Sequence, residues 1–167
     1  MRIGSPAPDF SLPDMVGQLH RLSDYRGQVV VINFWSAECP WCGRADLSLL
    51  ALQRQASEAV VLLNVASNVN EPDELITGAA QARGLGPVLR DRDCELANVW
   101  EAQTTPHIFI VDRAGILRYR GALDDVTFRK RSPDHHYVEQ ALAALLAGHL
   151  PDLPETPYYG CAIVRSI

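Results

Sequence analysis

Two cysteines with two residues between them, Cys39-Pro40-Trp41-Cys42, are the side chains of this sequence best placed to do chemistry. That spacing lets the sulfurs close a small ring, so the pair can alternate between dithiol and disulfide. It stands between an unbroken apolar run, Val29-Val30-Val31-Ile32, and a helical pattern carrying Leu47, Leu49, Leu50 and Leu52. The run reads as a strand buried on both faces, the pattern as the helix that follows it. A helix N-terminus has unpaired N–H groups and partial positive charge, which favour an anion. Cys39 is therefore expected to ionise below the ordinary thiol value of about 8.5 and to act as the nucleophile. Cys42, inside the first helical turn, is expected to be less exposed and to resolve a mixed disulfide formed at Cys39. Structural zinc is the competing chemistry, but tetrahedral zinc takes four ligands. No second close Cys/His pair is present, and His135-His136 lacks further ligands, so neither metal nor cofactor is expected.

The neighbours of the pair have their own readings. Pro40 and Trp41 fill the loop, and Trp35 and Trp41 flank the dithiol, where they would form an apolar rim for a partner peptide. Trp35 reads equally well as core. Glu38, directly before Cys39, offers a carboxylate for proton transfer. Its charge would also raise the Cys39 pKa, and a solvated loop residue is the plainer reading. Cys94 begins a helical stretch and reads as a buried, apolar-like cysteine.

Several elements must position these residues. Phe10 to Leu12 and Gln18 to Leu22 read as a hairpin, followed by a turn at Ser23–Gly27 and the central strand. The helix after Cys42 is expected to run to about Glu58 without a proline kink. Val60–Ala66 is a second continuous apolar strand. A helix follows from about Asn70 to Arg83, its start read as Asn70-Glu71-Pro72-Asp73-Glu74, with Gly84 and Gly86 beyond its end. Val88–Arg90 reads as a short extended piece, and Asp93 as the cap of a helix through Trp100. His107–Val111 turns through Asp112–Gly115 into Ile116–Arg120, and Tyr137–Leu146 is an amphipathic helix ended by Gly148. Residues 1–149 form one α/β domain with a mixed central sheet; 150–167, with Pro151, Pro154 and Pro157, form a non-helical tail.

The chain has 167 residues, 47% apolar and 21% charged, enough for one well-buried domain. A net charge of −5 argues against a nucleic-acid surface. Arg129-Lys130-Arg131 is a short solvated run. No segment approaches the roughly 20 apolar residues of a membrane span, and MRIGSPAPDF lacks a signal-peptide apolar region. A cytoplasmic protein is the literal expectation; an exported chain whose leader has been removed would begin the same way.

FWSAECPWC resembles the active site of thioredoxin-fold redoxins, especially the thiol–disulfide oxidoreductases of the TlpA/ResA kind within the AhpC/TSA superfamily. GSPAPDFSLPDMVGQLHRLSDYRGQVVVINFW and TTPHIFIVDRAGILRYRGALDD are similar to earlier and later parts of such proteins. The resemblance implies the thioredoxin fold with an N-terminal β-hairpin, and disulfide exchange through Cys39 and Cys42. It implies no flavin or metal; electrons come from an upstream thiol reductant, and the partner is a disulfide- or thiol-bearing protein or a small thiol. Thr105-Pro106 resembles the cis-proline that faces the dithiol, which would leave the Thr105 backbone free to pair with an extended partner segment. His107, next to it, reads as a strand-start histidine without a role. Asn33 stands where thioredoxins carry a buried proton-accepting aspartate, which asparagine cannot replace. Some similar redoxins carry a GC-x-I tail like Gly160-Cys161-Ala162-Ile163. Cys161 is then an auxiliary resolving thiol, a partner of Cys94, or an exposed bystander in a flexible tail.

Two alternatives stand beside exchange. A peroxiredoxin-like thiol peroxidase would use Cys39 as peroxidatic cysteine, with Ser36 three residues before it; Ile32, however, occupies that motif's proline position. A non-catalytic thiol sensor or binding module would use the dithiol as a switch.

Overall fold

The computed structural model describes residues 1–166. A short antiparallel hairpin, β1 (Ser11–Pro13) and β2 (Leu19–Arg21), precedes a single 3-10 turn at Leu22–Tyr25. The main chain then runs β3 (Val29–Trp35), α1 (Pro40–Gln55), β4 (Val60–Ala66), α2 (Asp73–Arg83), β5 (Val88–Arg90), α3 (Glu95–Val99), β6 (Thr104–Thr105), β7 (His107–Val111), β8 (Leu117–Gly121), α4 (Tyr137–Leu146) and β9 (Cys161–Ala162). The central sheet has five strands in the order β5-β4-β3-β7-β8. β3, β4 and β5 are parallel because α1 and α2 carry the chain back across the sheet, whereas β7 and β8 are antiparallel. This is the thioredoxin arrangement with its N-terminal hairpin, as the sequence implied.

β3 is buried at every position, which explains why its apolar run does not alternate with polar residues. Val30, Ile32 and Phe34 face a core layer containing Leu63, Trp100 and Phe109. Val29 and Val31 face the layer under α1 and α4, with Leu49, Ile110, Tyr119 and Leu142. Phe109 joins its layer through edge-on contacts with Phe34 and Trp100, at ring separations of 5.6 and 5.3 Å. Such aromatic pairs add about 0.5–1.5 kcal/mol beyond area burial.

Two local expectations change. The helix after β3 begins at Pro40 with Cys39 as its N-cap residue, so Cys42 lies in the first turn as expected, but it ends at Gln55 rather than near Glu58. The cap of α3 is supplied by Asp91, not Asp93: its carboxylate accepts from the Leu96 and Ala97 N–H groups at 3.1 and 3.0 Å. Cys94 at the N-cap position adopts a left-handed conformation with φ 56, which carries the chain from Asp91 into the helix. Cys94 itself is buried and donates its thiol to the Ser67 carbonyl at 2.9 Å. Lys130, within the short basic run, lies beside Asp125 and Asp134.

The tail is not loose. β9 pairs antiparallel with β6, placing Cys161 opposite Thr105. On either side of it, Tyr159 packs edge-on against Trp41 at 4.9 Å, and the Ile163 N–H donates to Gln103 O at 3.0 Å. Asn68 Oδ1 accepts from the Val164 N–H at 2.9 Å. Among the described residues, no helix is long and apolar enough to cross a membrane.

Phe109→Ala is expected to remove about 3–5 kcal/mol of unfolding free energy. Guanidinium unfolding should show a lower midpoint at unchanged slope.

Candidate active site: a dithiol with a third thiol against it

The site is built at the C-terminal end of β3, where the loop Ser36–Glu38 delivers Cys39 to the start of α1. Glu71, 1% exposed, organises that loop: it accepts the Ser36 hydroxyl and, at 3.0 Å, the Ala37 N–H. Asn68 Nδ2 donates to the same carboxylate at 3.1 Å. Arg83 Nη2 donates to the Ala37 carbonyl at 2.6 Å from the other side. The loop before the dithiol is thus held by two charged side chains from the β4–α2 region, and charge-assisted bonds of this kind are the stronger class.

The helix closes on Cys39 through its carbonyl, which accepts the Cys42 and Gly43 N–H groups at 3.1 and 3.3 Å. Cys42 is 0% exposed and Cys39 only 2%. The difference in exposure expected between the two sulfurs does not exist, because the tail covers Cys39. Its Sγ lies 2.9 Å from the Thr105 carbonyl oxygen and 2.8 Å from Cys161 Sγ. The Thr105–Pro106 bond is cis, as the resemblance implied. The Thr105 backbone, however, is not free for a partner: the chain's own tail is paired to it.

Hydrogen-bond donation from the Cys42 thiol is the largest influence on Cys39 and, against burial, pulls its pKa down to about 4; donation from Cys161 helps. Ionisation also forfeits the bond that Cys39, as a thiol, gives to Thr105. Burial pushes Cys42 well above the ordinary thiol range, and the thiolate beside it pushes further. Cys161 rises to about 12, first from burial and then from Cys39. These shifts make Cys39 the sulfur of the three that ionises first.

Asp46, which the sequence reading missed, lies one helical turn beyond Cys42 on α1 and is 2% exposed. Its Oδ2 accepts from Trp35 Nε1 at 3.1 Å and Arg83 Nη1 at 3.2 Å, while its Oδ1 has no hydrogen-bond partner. Burial raises its pKa despite Arg83. The only sequence signal was the i, i+4 spacing from Cys42, which puts both side chains on one helix face. Asn33 is occupied elsewhere, donating to Asn64 Oδ1 at 2.9 Å across the β3–β4 pair.

Trp35 is 0% exposed and belongs to the core under the dithiol, so only Trp41, half-buried against Tyr159, borders the site. Pro40 is exposed at the first turn of α1. Glu38 is exposed and its side chain turns to solvent, as the plainer reading had it. Ser36 serves Glu71 and not Cys39. His107 accepts the Gln103 N–H at 3.2 Å; burial depresses its pKa to about 4, so it is neutral at pH 7.

A five-stranded mixed sheet with a dithiol at a strand–helix junction and a cis-proline across from it defines a thioredoxin-fold redoxin. The sequence profile of the AhpC/TSA family matches residues 3–120, and the chain belongs to that family. It is similar to the thiol-disulfide oxidoreductase ResA of Geobacillus kaustophilus (strain HTA426), 37% identical over 117 residues, or 70% of this chain and 67% of that protein. It is also similar to the thiol:disulfide interchange protein DsbE of Allochromatium vinosum, 29% identical over 120 residues, or 71% of this chain and 65% of that protein. Among solved structures, a hypothetical protein of Sinorhizobium meliloti 1021 superposes with TM-score 0.89 at 26% identity, covering 99% of this chain and 96% of that one. An uncharacterized conserved protein of Geobacillus kaustophilus gives TM-score 0.88 at 29% identity, covering 99% and 93%.

Thiolate absorbance of the reduced protein is expected to appear as pH rises through about 4, the sulfur being neutral below that value and charged above it. Cys42→Ala removes the strongest donor and should move this step upward; an unmoved step would show that Cys42 does not hold the charge.

Proposed function

We propose that this protein is a thiol–disulfide oxidoreductase that exchanges disulfides through Cys39 and Cys42, with a disulfide- or thiol-bearing protein or a small thiol as partner. The observation that carries this reading is the placement of the pair: Cys39 at the N-cap of α1 with its Sγ 2.9 Å from the carbonyl of Thr105, which precedes the cis-proline, and Cys42 fully buried in the first helical turn, surroundings that lower the Cys39 pKa and raise that of Cys42. The names of the relatives similar to this chain agree with it. Cys39 attacks one sulfur of a partner disulfide and expels the other as a thiolate. Cys42, once deprotonated, attacks Cys39 Sγ, closing the ring and releasing the second partner thiolate. Two electrons have then passed from the dithiol to the partner; the reverse sequence oxidises a partner dithiol.

Asp46 is the group proposed to take the Cys42 proton. A carboxyl raised by burial is a better proton acceptor than an ordinary one, and its unpartnered Oδ1 shares the helix face of Cys42. Thr105 and Pro106 shape the surface across from the dithiol, and Trp41 borders it.

Magnitudes bear on direction. An ordinary thiol is a few per cent ionised at pH 7, so full ionisation of Cys39 gains roughly thirtyfold in thiolate. A pKa lower by more than four units costs roughly a hundredfold in intrinsic nucleophilicity at a Brønsted slope of about 0.4–0.5. Cys39 is therefore tuned to be a good leaving group more than a fast attacker. Its stabilised thiolate favours the reduced state, so the pair is expected to be more oxidising than thioredoxin at about −270 mV. A glutathione redox titration measures this; a more reducing value would refute the assignment of direction.

Stopped-flow tryptophan fluorescence of reduced protein should show rapid ring closure with glutathione disulfide and a much slower response to hydrogen peroxide. Cys39→Ser should abolish both. Faster reaction with peroxide would make the protein a peroxidase. Asp46→Asn is expected to slow ring closure by at least about tenfold near pH 7; an unchanged rate would remove Asp46 from proton transfer.

A further inference from the structure

Cys161 is not explained by a two-cysteine exchange cycle, yet its sulfur is 2.8 Å from Cys39. This is not the accident of a mobile terminus. Its strand is paired with Thr104–Thr105, and Tyr158 and Tyr159 pack on His107 and Trp41 at 5.1 and 4.9 Å. Gly160 has no room for a side chain: a Cβ there would stand 2.3 Å from the Thr105 carbonyl oxygen. Backbone contact this close is available only to glycine, so Gly160 fixes how near β9 can come to the dithiol. Cys94 does not compete for Cys161, because its thiol is committed to Ser67 O.

The tail lies along the edge beside the cis-proline as an extended segment would, with its own sulfur against Cys39. We propose that Cys161 is a second resolving thiol for Cys39, so that the oxidised protein exists as two disulfide isomers, Cys39–Cys42 and Cys39–Cys161. The inference rests on the exchange reading above.

Each step balances. When Cys39 carries a mixed disulfide, the Cys161 thiolate attacks Cys39 Sγ; the Cys39–Cys161 bond forms, the bond to the partner sulfur breaks, and the partner leaves as a thiolate. When the Cys39–Cys42 disulfide is present, the same attack expels Cys42 as a thiolate, which takes up a proton, with no net oxidation. Oxidation of Cys39 also removes the negative charge that opposes ionisation of Cys161, so the third thiol becomes available only after the first has reacted. The Cys39–Cys161 isomer ties the tail across the site with Cys42 reduced beneath it. An extended partner can then reach Cys39 only after this bond has been broken.

The full chain carrying Cys42→Ser decides the matter. It is mixed with glutathione disulfide and mapped by non-reducing peptide mass spectrometry. The expected product is an intrachain Cys39–Cys161 disulfide with two glutathiones released per chain. Adding Cys161→Ser should instead leave glutathione on Cys39, prolonging that adduct by at least about a hundredfold, as loss of a neighbouring thiol demands. Cys42→Ser with Gly160→Ala keeps the thiol but lifts the strand, and should behave like the double serine variant. Cys42→Ala replaces Cys42→Ser should the serine variant fail to fold. A persistent glutathione adduct in Cys42→Ser, no shorter-lived than in the double variant, would overturn the inference while leaving the exchange reading intact. Failure of the unmodified chain to react with glutathione disulfide would overturn both.

Discussion

A single negative charge on Cys39 must be held at a place that is almost dry. Water does not solvate it; two neighbouring thiols and the start of α1 do. That requirement accounts for much of the architecture around it. Cys42 must stay buried and protonated to donate, which the β3–α1 junction ensures by setting it beneath the loop. The loop in turn needs Glu71 and Arg83, two charged groups that reach it from outside α1.

Burial makes these neighbours consequential. In water, a thiol near a thiolate would alter its ionisation little, because solvent competes for every hydrogen bond. With Cys39 2% exposed, each donor is worth more and each unpaired group costs more. The same low exposure raises Asp46 and Cys161. It also leaves Asp46 Oδ1 and Thr105 Oγ1, both flanking the dithiol, without partners. Such unsatisfied polar atoms are uncommon in well-packed proteins.

The tail changes what the thioredoxin arrangement means here. A bare dithiol beside a cis-proline presents an open edge to an extended partner. In this chain the edge is taken by β9, and the aromatic contacts of Tyr158 and Tyr159 hold it down. Cys39 is therefore covered by residues of the chain itself, Cys161 among them.

Local pattern carried a good deal of this. β3 and β4 were readable because strands buried on both faces leave continuous apolar runs, and α4 because its apolar face repeats at helical spacing. The dithiol was readable because its chemistry needs two cysteines at one fixed spacing between strand and helix. What lay between distant segments was not. Asp91 rather than Asp93 caps α3, since the chain turns through Cys94 in a left-handed conformation that no local preference announces. Trp35 proved to be core, Asp46 was passed over, and Glu71 was read only as part of a helix start. The sequence by itself determined the fold class and the place of the Cys39–Cys42 pair between strand and helix, because periodicity and motif spacing are local properties. Only the tertiary structure decided that Cys39 is covered, that Asp46 lies beneath the dithiol and that Cys161 touches it. Those facts depend on contacts across 122 positions of sequence, in the case of Cys161, and no local periodicity encodes such a meeting.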